Sequence, residues 1–149
     1  MSGGTGLAAI LALLAGLAGS VQAAVMGRFG ERIGTVEALA WASLLSLGLA
    51  LVLLFVVRRG PGDISGAWSS PKWLWLGALL GTFIVFTITV VSPRIGTTAT
   101  IALLVAGQLV AGTVIDRFGL FGFERIALSG PRVLGIALLA AGAALTLKR

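Results

Sequence analysis

The side chains able to do chemistry are few, and their placement says what kind. Gln108 lies near the centre of an uncharged run, and Thr100, Leu104, Gln108 and Gly112 recur four residues apart, on one face of a helix. An amide at that depth costs free energy unless paired. It is therefore either a hydrogen bond between helices or part of a polar path. Gln22 sits one turn from the end of an earlier run, with Gly19 beside it on the same face. Glu37 and Trp41 are four apart at the mouth of another. A carboxylate beside an indole outlines a cation site. The same pair also fits a first-turn acid favoured by the helix dipole next to an interfacial tryptophan. Thr82, Phe86 and Thr89 form a stripe whose hydroxyls are expected to bond their own helix.

What is missing narrows the chemistry further. The chain has no Cys, no His, no Tyr and only five acids. The commonest metal ligands and the commonest general base are absent. Ser20, Ser43 and Ser46 have no base to activate them, and no phosphate loop or metal cluster is present. No enzyme activity, cofactor or metal is expected. No carboxylate falls in the middle of any uncharged run, which argues against a deep proton- or sodium-binding acid. Glu37 is the best candidate for any proton coupling, ahead of Glu31 and Asp116.

The elements that hold these residues follow from hydropathy. Hydrophobic residues make up 58% and charged residues 11% of 149, against roughly 45–50% and 25% in a soluble domain. Five runs carry no charge: 7–26, 38–57, 73–91, 97–115 and 133–147. A helix needs roughly 20 apolar residues to cross a bilayer core about 30 Å thick. The fifth run, about 22 Å long as a helix, spans only if flanking basic side chains snorkel or the bilayer thins. The sequence thus predicts one all-α integral membrane domain, 1–149, with five transmembrane helices and the lipid bilayer as its solvent. The net charge of +6 belongs to the ends of the runs, so no nucleic-acid partner is expected. Ser20–Ala23 resembles a cleavage site, but no Lys or Arg precedes the first run, so its retention is expected. The joints are read as 27–37, 58–72, 92–96 and 116–132. Trp68, Trp73 and Trp75 form an aromatic belt at the head of the third span, and the last joint lies along the interface.

With five spans, one side of the membrane holds Arg58, Arg59, Lys72, Arg117, Arg125 and Arg132. The other holds Arg28, Arg32, Arg94, Lys148 and Arg149. Six against five is almost no bias, whereas a clear excess normally fixes orientation. One orientation can still dominate. The alternative is insertion both ways, with opposite copies paired in an antiparallel homodimer. That gives a ten-helix inverted-repeat bundle from one short sequence. Helix packing is expected at Gly77 and Gly81, at Gly16 and Gly19, and at Gly112, where small residues let backbones approach.

Three stretches carry a family resemblance: Pro93–Ile101, Val105–Ala111 and Ile115–Gly122, with Gln22–Gly30 also similar. The chain resembles the five-helix YdcZ-like branch of the drug/metabolite transporter superfamily along essentially its whole length. The resemblance implies a short bacterial inner-membrane, multi-pass protein of a group known for dual topology. Arg117 departs from the pattern, in which His is common, so no titrating role is implied there. The distantly related four-span multidrug proteins use a Glu in their first helix. No acid stands in the first span here, so that mechanism does not carry over. The function expected is a small secondary transporter that moves a small metabolite or drug-like solute by alternating access. Gln108, Gln22 and Thr100 would line the path, with Glu37 and Trp41 at its mouth. The alternatives are a non-transport membrane subunit, or one half of a heteromeric transporter with an oppositely oriented sibling.

Overall fold

The computed structural model describes residues 3–147, so Lys148 and Arg149 lie outside the described residues. The chain is all-helical: α1 (Gly3–Ile33), α2 (Thr35–Arg58), α3 (Gly66–Ser69), α4 (Leu76–Ile95), α5 (Thr97–Phe118) and α6 (Gly130–Leu145). Single turns of 3-10 helix cover Lys72–Trp75 and Leu120–Gly122. Among the described residues, four helices are long and apolar enough to cross a membrane, and α6 is a shorter apolar helix. The apolar window of α2 is 0% buried. An uncovered helix of that hydropathy requires lipid, since water would meet a continuous apolar surface.

Helix ends depart from the sequence expectation in a consistent way. α1 runs seven residues past the expected limit at Met26 and α4 runs through Pro93 to Ile95, so the joints 27–37 and 92–96 shrink to Gly34 and Gly96. Arg28, Glu31, Arg32 and Arg94, which lie beyond the uncharged runs, are inside the helices. Arg28 and Glu31 pair one turn apart at 3.0 Å, which an exposed helix end favours. At 31 residues α1 is roughly 46 Å long, so its last turns clear the hydrocarbon core. The true stops are Gly34 (φ 102°, ψ 146°) and Gly96 (φ 86°, ψ 154°), in a backbone region open essentially to glycine alone. α6 begins three residues before Val133 and ends two before Leu147. Ser129 and Pro131 open it, as a proline in the first turn costs no helical hydrogen bond.

The chain divides into two compact units, Ala23–Pro93 and Met1–Gln22 with Arg94–Arg149. In the first, Ala23 and Met26 of α1, Ala38 of α2, and Ile88, Thr89 and Ser92 of α4 are buried. The close approach is at two glycines. A Cβ on Gly27 would stand 3.2 Å from Ser92 Cβ and 3.3 Å from Pro93 Cδ. One on Gly30 would stand 2.5 Å from Thr89 Cγ2. Only glycine admits that contact. Between α2 and α4, Trp68 and Trp75 meet edge to face at 5.4 Å, and the Lys72 ammonium sits 4.3 Å from the Trp75 ring centre. This is the expected belt, with its cation resting on an indole face. In the other unit α6 packs on α5, and Ala99, Thr100 and Ala143 are buried.

Candidate functional site

The α5–α6 pair builds a groove lined by an open amide. α5 ends at Gly119, whose left-handed conformation (φ 63°) lets its N–H reach the Ile115 carbonyl. The chain then turns through Leu120–Gly122 and runs extended to α6. The Ile126 N–H donates to the Asp116 carbonyl at 2.9 Å and ties the linker back to α5. The Arg132 guanidinium in the first turn of α6 donates to the Asp116 carboxylate, closing the lower end of the groove with an ion pair. The two side chains keep 36% and 27% of their surface exposed, so the pair is partly desolvated. Thus the linker 116–132, expected to lie at the interface, has both of its ends inside helices and joined by that pair.

Above the ion pair the groove encloses about 330 Å³ between Gln108, Gly112 and Thr113 of α5 and Gly135, Ile136 and Leu139 of α6. Gly112 and Gly135 have no side chain to fill it. Thr113 commits its hydroxyl to the Leu109 carbonyl at 2.7 Å. Gln108, two turns or about 12 Å along α5 from Asp116, is exposed, and its amide has no hydrogen-bond partner among the described residues. The groove therefore offers a carboxamide with free donors and acceptors at one end and a neutralised charge pair at the other.

The remaining predicted residues fall elsewhere. Thr100 is buried and donates its hydroxyl to the Gly96 carbonyl at 2.8 Å, so its polar group is already satisfied. Gln22 is exposed on α1. The Glu37 carboxylate lies over Gly34 at the start of α2, where a Cβ on Gly34 would collide with it, while the Gly34 N–H is taken by the Gly30 carbonyl at 3.0 Å. Trp41 is 51% exposed one turn on. A Cβ at Gly16, Gly19, Gly77, Gly81 or Gly112 would meet nothing within 4 Å. Sequence reasoning overlooked the Asp116–Arg132 pair, whose signal was two opposite charges bounding one linker. It also overlooked Gly27 and Gly30, whose signal was the small-residue spacing Ala23, Gly27, Gly30 just past an uncharged run.

Residues 7–145 match the YdcZ family, described as "Putative inner membrane exporter, YdcZ". The chain belongs to that family. It is similar to "Inner membrane protein YdcZ" of Escherichia coli (strain K12), 34% identical over 139 residues that cover 92% of each chain. No solved structure matches. The protein is thus a multi-pass inner-membrane protein of an exporter family rather than of an enzyme family.

Proposed function

We propose that the chain is a small secondary transporter of the drug/metabolite superfamily, working as an antiparallel homodimer of one five-span membrane domain. The observation that carries this reading is the unpaired Gln108 amide in the α5–α6 groove. An unsatisfied carboxamide in a bilayer-depth groove is costly unless something polar passes it. α6, at 16 residues or about 24 Å, is the fifth span and draws the bilayer thinner around it. The charge balance of six to five supports insertion in both orientations. The open glycine strips at Gly16, Gly19, Gly77 and Gly81 are then the surfaces a second copy's helices pack on. Gln108, Gln22 and Thr100 line the path of a small metabolite or drug-like solute, and Glu37 and Trp41 stand at its mouth. Alternating access follows from exchange of conformations between the two copies.

Two experiments test this. Ser65 is exposed between α2 and α3, and the chain has no other thiol source, so Ser65→Cys reports sidedness alone. A membrane-impermeant maleimide applied to intact cells, then after lysis, is expected to label about equal shares in the two steps under dual topology. Labelling from one side only would remove the antiparallel dimer. Efflux from proteoliposomes loaded with a panel of amines, organic acids and nucleosides is expected to be selective for a subset. Silence across the panel would favour the non-transport subunit.

A further inference from the structure

Two arginines line one groove at the end of α5, and no acid lines it with them. Arg117 stands in the last turn of that helix, and Arg125 follows in the extended linker. The fold of the linker brings them together. Gly119 turns the chain in its left-handed conformation, the Phe123 N–H donates to the Leu120 carbonyl at 3.2 Å, and the Ile126 N–H reaches the Asp116 carbonyl at 2.9 Å. Arg125 is thereby laid across Gly119, where a Cβ would stand 2.8 Å from the Arg125 Cγ and 3.0 Å from the Phe123 carbonyl oxygen. The groove so formed encloses about 380 Å³ between Arg117, Phe118, Arg125, Ile126 and Ala127.

The nearby acids do not neutralise it. Asp116 is taken by Arg132. Glu124, Arg117 and Arg125 form no hydrogen bond or ion pair among the described residues. Two guanidiniums on one groove repel each other unless an anion lies between them, and a phosphate accepts from both forks. The apolar side of the same segment says which phosphate. Phe118, Phe121 and Phe123 are 61%, 61% and 65% exposed. Phenyl rings so close together are costly to hold in water and settle at the boundary between head groups and acyl chains. α5 is long and apolar enough to cross a membrane, so its last turn stands at that level. A soluble anion would satisfy the guanidiniums alone. An anionic phospholipid satisfies both halves, with its phosphate at the arginines and its acyl chains along the phenyl rings.

We infer that Arg117 and Arg125 form a binding site for the head group of an anionic phospholipid. The site shares no lining residue with the Gln108 groove, and its test does not depend on the transport reading. The full-length chain in detergent micelles is titrated with dioleoyl phosphatidylglycerol or dioleoyl phosphatidylcholine, and bound lipid is counted by native mass spectrometry. A basic residue beside an anionic head group contributes about fivefold in affinity, so phosphatidylglycerol is expected to bind about 25-fold more tightly than phosphatidylcholine. Arg117→Gln and Arg125→Gln are each expected to cut that preference about fivefold, and the double variant to abolish it. Both side chains are exposed and unbonded, so the variants are expected to fold as the wild type does. Arg58→Gln/Arg59→Gln removes the same charge from the end of α2 and is expected to leave the preference within about twofold. A preference that survives Arg117→Gln/Arg125→Gln overturns the inference. An equal loss in Arg58→Gln/Arg59→Gln overturns it too, because net charge would then be the cause. Glycerol phosphate equimolar with the lipid is expected not to displace it; displacement would assign the groove to a soluble anion and remove the lipid site.

Discussion

At the α1–α4 crossing, two glycines bring backbone against side chain, and Thr89 and Ser92 fill the space a side chain would have taken. At the α5–α6 contact, an aspartate and an arginine close one end, and glycines leave the middle open. The first contact gains dispersion over a tight, nearly dry surface, the means available to helices in lipid. The second keeps polar groups apart from that surface and leaves one amide unspent. Ser92 marks the limit of the first strategy, because its buried hydroxyl has no partner among the described residues. Pro93 follows it and has no amide to give to the Thr89 carbonyl, which faces Gly30. Tight packing thus tolerates local polar loss, whereas the groove tolerates local packing loss. Rigid support and an adaptable surface are divided between the two contacts.

The largest expected effect comes from filling the tight contact. Gly30→Ala places a methyl 2.5 Å from Thr89 Cγ2. That methyl cannot swing away, because Thr89 is held by its bond to the Val85 carbonyl at 2.8 Å. A loss near the top of the roughly 1–3 kcal/mol range for overpacking is expected in detergent unfolding by SDS titration. Adding Thr89→Ser removes Cγ2, keeps the hydroxyl, and is expected to recover most of the loss. A Gly30→Ala chain as stable as wild type would mean that the crossing is not tight.

These two contacts were unequally legible in the sequence. All five apolar runs are helices, and Gln108 stood out because one amide in an uncharged run is rare. The ends were misjudged because charge was taken to stop a helix. Arg28, Glu31, Arg32 and Arg94 instead ride on the last helical turns of α1 and α4, and Gly34 and Gly96 do the stopping there. Gly27 and Gly30 lie just past the uncharged run, where charged neighbours mask a packing pattern that small residues would show inside it. The Asp116–Arg132 pair was hidden by distance along the chain: 16 residues separate partners that a turn brings together.

The intermediate effect lies at the foot of the groove. Asp116→Asn keeps the shape and removes the charge that Arg132 meets. A hydrogen bond to a charged group contributes about 1.5–3 kcal/mol, and the exposed third of Arg132 points to the lower figure. The loss is expected to shrink in Asp116→Leu/Arg132→Leu, because an apolar pair leaves no lone charge behind. A double variant worse than either single one would show that the pair positions the linker through contacts other than charge.

The smallest effect separates glycines that are needed from glycines that are only small. Gly77 and Gly81 sit in α4, the helix that also carries Thr89 and Ser92, yet a Cβ at either meets nothing within 4 Å. In a helix interior Ala is favoured over Gly by about 1 kcal/mol, so Gly77→Ala and Gly81→Ala are each expected to leave unfolding unchanged or to raise stability by up to that amount. The sign is opposite to that of Gly30→Ala, which meets the other end of α4 at Thr89. If these glycines instead receive a second copy's helix, bulk matters where a methyl does not. Gly77→Leu and Gly81→Leu are then expected to raise the monomer fraction on cross-linking while SDS unfolding of the single chain stays put. A dimer fraction unmoved by both leucines would assign this strip of α4 to lipid and leave Gly16 and Gly19 of α1 as the surface to test for the partner.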